Sequence, residues 1–173
     1  MSADLTVFLP VLGAVVLHAP VLRFDLLQPL RRPIDGGRGW FGANKTWRGA
    51  LVMFTGVFLA TGVVWELMPD SLQDESWLVV GALIGAGTVL GELPNSYLKR
   101  RLHIAPGERR LTPVGIALIV YDQADFVPAI AVCLLPVWTM PLDTLVLGFV
   151  AVAAVHFVVN VIGYAIGARE QPI

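Results

Sequence analysis

Apolar residues run along this chain in long blocks separated by short polar segments. They follow neither the alternation of a half-buried strand nor the narrow stripe of a surface helix. The blocks cover residues 5–22, 49–68, 77–93, 126–140 and 145–168. An α-helix rises ~1.5 Å per residue, so roughly 20 residues cross a ~30 Å hydrocarbon core. The block at 126–140 is short for a crossing. It is completed either by the apolar run 114–121 just ahead of it or by a start in the interface. The pattern predicts an all-α integral membrane protein with about five transmembrane helices. It forms a single domain over 1–173, with polar loops at about 23–48 and 98–121. The opening Met-Ser-Ala-Asp lacks the basic flank of a signal peptide, so the first block is expected to stay as a helix. Pro10 and Pro20 are tolerable in a membrane helix.

Composition agrees with this pattern. Of 173 residues 56% are hydrophobic and 14% charged, and mean hydropathy is +0.73. A soluble domain carries about 25% charged residues, so a disordered chain is excluded and a soluble enzyme disfavoured. The one cysteine, Cys133, forms no internal disulfide, and no Cys/His zinc spacing exists.

Net charge is −1, from 12 basic and 13 acidic residues, and becomes informative only when sorted by position. Arg23, Arg31, Arg32, Arg38, Lys45 and Arg48 lie between the first two blocks. Lys99, Arg100, Arg101, Arg109 and Arg110 follow the third, and Arg169 follows the fifth. The alternate segments hold Asp4, then Glu66, Asp70, Asp74 and Glu75, then Asp143, without Lys or Arg. The positive-inside rule then predicts an outside N-terminus and a cytoplasmic C-terminus, in a multi-pass protein of the cell (plasma or inner) membrane. Trp40 and Trp47 fall at the inner start of the second span, and Trp65, Trp77 and Trp138 at outer ends, as an aromatic belt would.

Three features on the predicted cytoplasmic face carry chemistry. The first is the glycine-rich stretch ending Gly42-Ala43-Asn44-Lys45-Thr46-Trp47-Arg48-Gly49. Asn44, Lys45, Thr46 and Arg48 offer donors where a helix begins, and a helix N-terminus favours anions. The stretch is not a P-loop, and a glycine-rich turn that only sets topology is the alternative. The second is Gly91-Glu92-Leu93-Pro94-Asn95-Ser96, followed by Lys99-Arg100-Arg101. Glu92 lies at the edge of an apolar helix, where an ionisable group is costly unless paired or functional. A basic anchor behind a helix break is the alternative for the cations. The third is Asp122-Gln123-Ala124-Asp125-Phe126. Its carboxylates are three apart, can share one helix face, and have no Lys or Arg nearby in sequence. A divalent cation would relieve their repulsion; Mg²⁺ suits carboxylates plus substrate phosphates. A helix cap would need only one of them. Together these features equip a membrane face for phosphoryl or nucleotidyl transfer.

At Phe41–Gly49, at Ser96-x-x-Lys-Arg-Arg and at Asp122-Gln-x-Asp-Phe the chain resembles the CDP-archaeol synthase (CarS-like) family, relatives of the phosphatidate cytidylyltransferases. The resemblance implies five transmembrane helices, a cytoplasmic site, Mg²⁺ as cofactor, and transfer of a cytidylyl group from CTP to a lipid phosphate in the bilayer, with no nucleic acid involved. It implies an archaeal-type unsaturated dialkylglycerol phosphate as acceptor, or a phosphatidate-like one. Asp122 and Asp125 would hold the metal with Glu92 assisting, and Lys99, Arg100, Lys45 and Arg48 would hold phosphates. Asn44, Thr46, Asn95 and Ser96 would orient nucleotide or phosphate. The chain departs in carrying Glu92 where the family generally has aspartate, and in a longer, more apolar 105–121 stretch.

The competing reading is a small transporter or non-catalytic scaffold using Glu92, Asp122 and Asp125 as an ion site. The multi-aspartate signature of CDP-alcohol phosphotransferases and the Ser-Gly-His of lipid phosphatases are absent. Gly81, Gly85, Gly87 and Gly91 are expected to allow close helix packing. His18 and His156 are expected to pack, with Asn160 bonding across helices from the face it shares with His156.

Overall fold

A computed structural model describes residues 4–68, 75–108 and 110–165, and among these every regular element is helical. Asp70, Asp74, Arg109 and Arg169, which entered the charge reading above, lie outside the described residues. The first block forms a 3-10 segment, Leu5–Val11, running into α1 (Leu12–Arg23). It is followed by α2 (Trp47–Leu67), α3 (Trp77–Arg101), α4 (Pro113–Tyr121), α5 (Phe126–Leu134) and α6 (Leu142–Ala165). Residues 5–23, 47–67, 77–101 and 142–162 are each long and apolar enough to cross a membrane. The pair α4 and α5, bent by 52° at a break of four residues or fewer, makes a fifth span if counted as one.

Two boundaries differ from the sequence reading. Helix α3 continues through Pro94 and onward to Arg101. Proline removes one backbone donor, but the flanking residues are packed, and basic side chains in a last turn favour the helix dipole. The apolar run ahead of the fourth block is helical, so the second loop shrinks to residues 102–112. Arg110 closes that loop onto the end of α3, donating to the backbone oxygens of Leu102 at 3.0 Å and His103 at 2.6 Å.

Helix α3 is the centre of the bundle, packed by α2 on one side and α5 on the other. Its glycines make both contacts close, as their spacing suggests. A Cβ at Gly85 would meet Phe54 of α2 at 3.0 Å, and one at Gly91 would lie 2.4 Å from the Cα of Phe126. The fully buried Val57, Ile84, Val127 and Ile130 fill the seams between these helices. The turn between α4 and α5 is thereby pressed against the C-terminal half of α3.

The 24–46 loop folds back on itself. Ile34 donates to the Lys45 oxygen at 2.9 Å and Trp47 to the Arg32 oxygen at 3.1 Å. Inside this closure Asp35, 8% exposed, accepts from the backbone of Gly37 at 2.9 Å, Trp40 at 2.7 Å and Phe41 at 3.3 Å. Burial pushes the Asp35 carboxyl up, but these backbone donors outweigh it and hold it below the usual carboxylate range.

Two predictions follow from this packing. Gly91→Ala should destabilise the protein by about 1–3 kcal/mol, the usual cost of overpacking, read as a lower melting temperature in detergent. Because α5 must shift, it should also impair the site, whereas Gly13→Ala, a clash with Gly56 at the α1–α2 crossing, should lower stability alone. A carboxyl held below its ordinary range favours the folded loop at neutral pH and loses that advantage as pH falls. The 36–42 segment should therefore resist proteolysis down through about pH 4 and loosen below it, while Asp35→Ala should be cleaved there even at neutral pH.

Candidate active site

The last turns of α3 supply most of the polar side chains that converge. Asn95 and Ser96 lie three and four residues after Glu92, and Lys99 lies four and three residues after them, so all four sit on one side of the helix. Asn95 is 2% exposed, Ser96 9%. The α4–α5 turn supplies Asp122 and Asp125, and the first loop supplies Lys45. Asn95 Nδ2 donates to Asp122 Oδ1 at 2.7 Å and to Asp125 Oδ2 at 3.3 Å. Lys99 Nζ lies 2.6 Å from Asp122 Oδ1. Lys45 Nζ lies 2.5 Å from Glu92 Oε2.

Several sequence expectations change here. Asp122 and Asp125 do not share a helix face; they flank a non-helical turn, and Asn95 brings them together. Asp122 is not unpaired, because Lys99 reaches it across 23 residues of sequence. Glu92 is held by Lys45, and among the described residues no three His, Cys, Asp or Glu side chains form a ready metal-ligand set. Arg48 is already engaged by Asp25 at 2.7 Å and by the Leu26 oxygen at 3.3 Å. Thr46 caps α2 by accepting from Gly49 at 3.2 Å. The start of that helix is therefore less open to an anion than the glycine-rich spacing suggested. Asn44 and Thr46 nevertheless line the cavity described below.

Among the described residues the Arg100 guanidinium makes no hydrogen bond or close ion pair, with Glu108 as a charged neighbour. Its Nε and Nη1 are buried and make no hydrogen bond. The guanidinium lies beneath Gly42, where a Cβ would come within 3.5 Å of Nε and 3.3 Å of Pro106. Gly42 has a φ of +89°, so glycine serves there both the backbone and the close approach. Buried donors without acceptors are costly, so these two nitrogens leave the half-buried Arg100 open to an anion. Asn95 Oδ1 is likewise buried without a partner, beside the two aspartates. Two carboxylates and an unbonded amide oxygen are hard donors that fit a divalent cation whose other positions are filled by phosphate oxygens.

Of these groups Lys45 and Glu92 open into a cavity of about 720 Å³ lined mostly from α1, α2, α3 and α6. Its polar end is lined by His18, Asn44, Lys45 and Glu92, and its far end by Leu5 and Phe8. Phe8 lies ten residues before His18 in the chain, so the cavity runs roughly 15 Å along the helix direction. His18 was read from sequence as a packing residue; the structure sets it on the cavity wall. The partnership of Arg48 with Asp25, 23 residues upstream, left no local signal in the sequence.

Comparison with known proteins bears on this arrangement. Curated relatives named CDP-archaeol synthase include one from Halobacterium salinarum, 33% identical, and one from Halorubrum lacusprofundi, 36% identical; each match spans 82% of this chain and 83% of the relative. One from Pyrococcus furiosus is 31% identical over 81% of this chain and 83% of its own. A solved structure of an intramembrane enzyme for archaeal membrane lipid biosynthesis superposes with a TM-score of 0.67 and 27% identity, covering 90% of both chains. A family model described as CarS-like, CDP-archaeol synthase, matches residues 25–173. With the site's carboxylates and cations inside that matched region, the chain belongs to the CarS-like, CDP-archaeol synthase family.

Proposed function

We propose that this chain is a CTP-dependent cytidylyltransferase that converts a membrane lipid phosphate to a CDP-lipid and releases pyrophosphate. Membership in the family supports the reaction. The observation in the chain itself that carries it is the pairing of cations with carboxylates around the end of α3, Lys99 on Asp122 and Lys45 on Glu92, with Lys45 and Glu92 at the polar end of an apolar cavity and with two buried Arg100 nitrogens left without partners. A phosphate-bearing lipid has the matching shape, with its anionic head among the cations and its chain in the cavity. A transporter or passive scaffold is not favoured, because nothing in either role calls for a nucleotide-type anion site.

In this reading Arg100 takes phosphate oxygens in the bidentate manner open to a guanidinium. Lys99 and Lys45, now on Asp122 and Glu92, turn to phosphates when substrates enter. Asn95, Ser96, Asn44 and Thr46 orient nucleotide or phosphate by hydrogen bonds, and Arg48 braces the first loop through Asp25. Asp122 and Asp125, with Asn95 Oδ1 and Glu92 beside them, would hold Mg²⁺, which when bound offsets charge on the triphosphate. An acceptor phosphate oxygen attacks the α-phosphorus of CTP. A new P–O bond forms there, and the bond from that phosphorus to the β-phosphate's bridging oxygen breaks. Pyrophosphate leaves with the electron pair. A phosphomonoester is already ionised near neutral pH, so no general base is needed. The acceptor is an archaeal-type unsaturated dialkylglycerol phosphate, and the site faces the cytoplasm of a cell membrane.

The test is a product assay on purified protein, pairing each of the four nucleoside triphosphates with ether- and ester-linked glycerol phosphates. CTP with the ether acceptor should give a CDP-lipid and pyrophosphate. No CDP-lipid from either acceptor class would overturn the activity, and equal use of the ester would overturn the acceptor assignment. Chelation should abolish turnover, and Mg²⁺ should restore it. Asp122→Asn and Arg100→Ala should each lower turnover about 10²-fold or more in protein that melts normally. A wild-type rate in either variant would remove that residue from the mechanism.

A further inference from the structure

Helix α6 is apolar along most of its length, and polar side chains on such a helix persist where they find partners. His156 and Asn160 lie one turn apart on it and end on the same residue. His156 Nδ1 is 3.0 Å from the backbone oxygen of Gln123, and Asn160 Nδ2 donates to the Gln123 side-chain oxygen at 3.1 Å. A carbonyl can only accept, so Nδ1 carries the proton. Gln123 Nε2 in turn donates to the Ile119 oxygen at 3.1 Å, tying the residue back to α4. Asn160 is 3% exposed. Gln123 stands in the break between α4 and α5, immediately after Asp122 and two residues before Asp125. Backbone freed by such a break is tolerated at membrane depth only where protein groups pair with it.

We propose that His156 and Asn160 are positioning residues for the Asp122–Asp125 turn. They fix Gln123 by main chain and side chain, and so set how the two carboxylates stand relative to Asn95 and to a divalent cation. The inference rests on the metal-nucleotide reading above. Simple adhesion of α6 to the bundle would use the same bonds, but it would leave cation affinity unchanged once the protein is folded.

The test uses the full chain purified in detergent, with Mn²⁺ as probe, alone and with CTP, its free fraction read by electron paramagnetic resonance. His156→Ala should weaken Mn²⁺ binding about 10-fold, as loss of a partner behind a metal ligand does. It should also raise the Mg²⁺ needed for half-maximal turnover. His156→Asn, which returns a donor near the Nδ1 position, should recover most of both. Asn160→Asp, similar in size but without the donor, should act in the direction of His156→Ala and serves if that variant does not fold. Folded variants with wild-type Mn²⁺ affinity, or His156→Asn no better than His156→Ala, would overturn the proposal. So would wild-type protein that binds no Mn²⁺ in either condition. Weakened Mn²⁺ binding in a chain that makes no CDP-lipid would sink the proposed reaction and leave the positioning role standing.

Discussion

The break between α4 and α5 is the constraint on which the rest of the site depends. A helix interrupted inside an apolar bundle exposes backbone oxygens and donors that hydrocarbon cannot satisfy. Here the interruption is pressed against α3 by the glycine contact at Gly91 and Phe126, and it is tied sideways by Asn95 from α3 and by His156 and Asn160 from α6. The break is thus held by two neighbouring helices at once. In return two carboxylates stand on backbone that no regular helix would provide, Asp125 deep in the protein at 4% exposed and Asp122 open to the surface.

Most of what faces this turn comes from one element. Glu92, Asn95, Ser96, Lys99 and Arg100 span less than three turns of α3, so their relative placement is set by helix geometry rather than by loop conformation. The first loop adds Lys45 and covers Arg100 through Gly42. Asp35 orders that loop from inside, gathering three backbone donors that would otherwise point into a turn without partners.

The spans were legible because blocks of apolar residues near the thickness of a bilayer leave few other readings. The close helix approaches were legible from Gly81, Gly85, Gly87 and Gly91, since their spacing puts bare backbone on the faces toward α2 and α5. The residues that carry charge were legible by type, and their partnerships were not. Lys99 meets Asp122, and Arg48 meets Asp25, across long stretches of sequence, so the tertiary fold alone decides that one cation serves the site and the other braces a loop. Asp122 and Asp125 read as a helical pair because their spacing permits it; packing against Asn95 favours a turn. His18 read as packing because a histidine in an apolar helix usually packs, and nothing local signals a cavity wall.

The pairing of Lys45 with Glu92 and of Lys99 with Asp122 has a consequence for how such a protein is made. Lys45 with Glu92 and Lys99 with Asp122 satisfy one another without any ligand. Such ion pairs lower the penalty of lying close to hydrocarbon. These four side chains therefore need no ligand to hold their places, and this end of the bundle can assemble on its own groups.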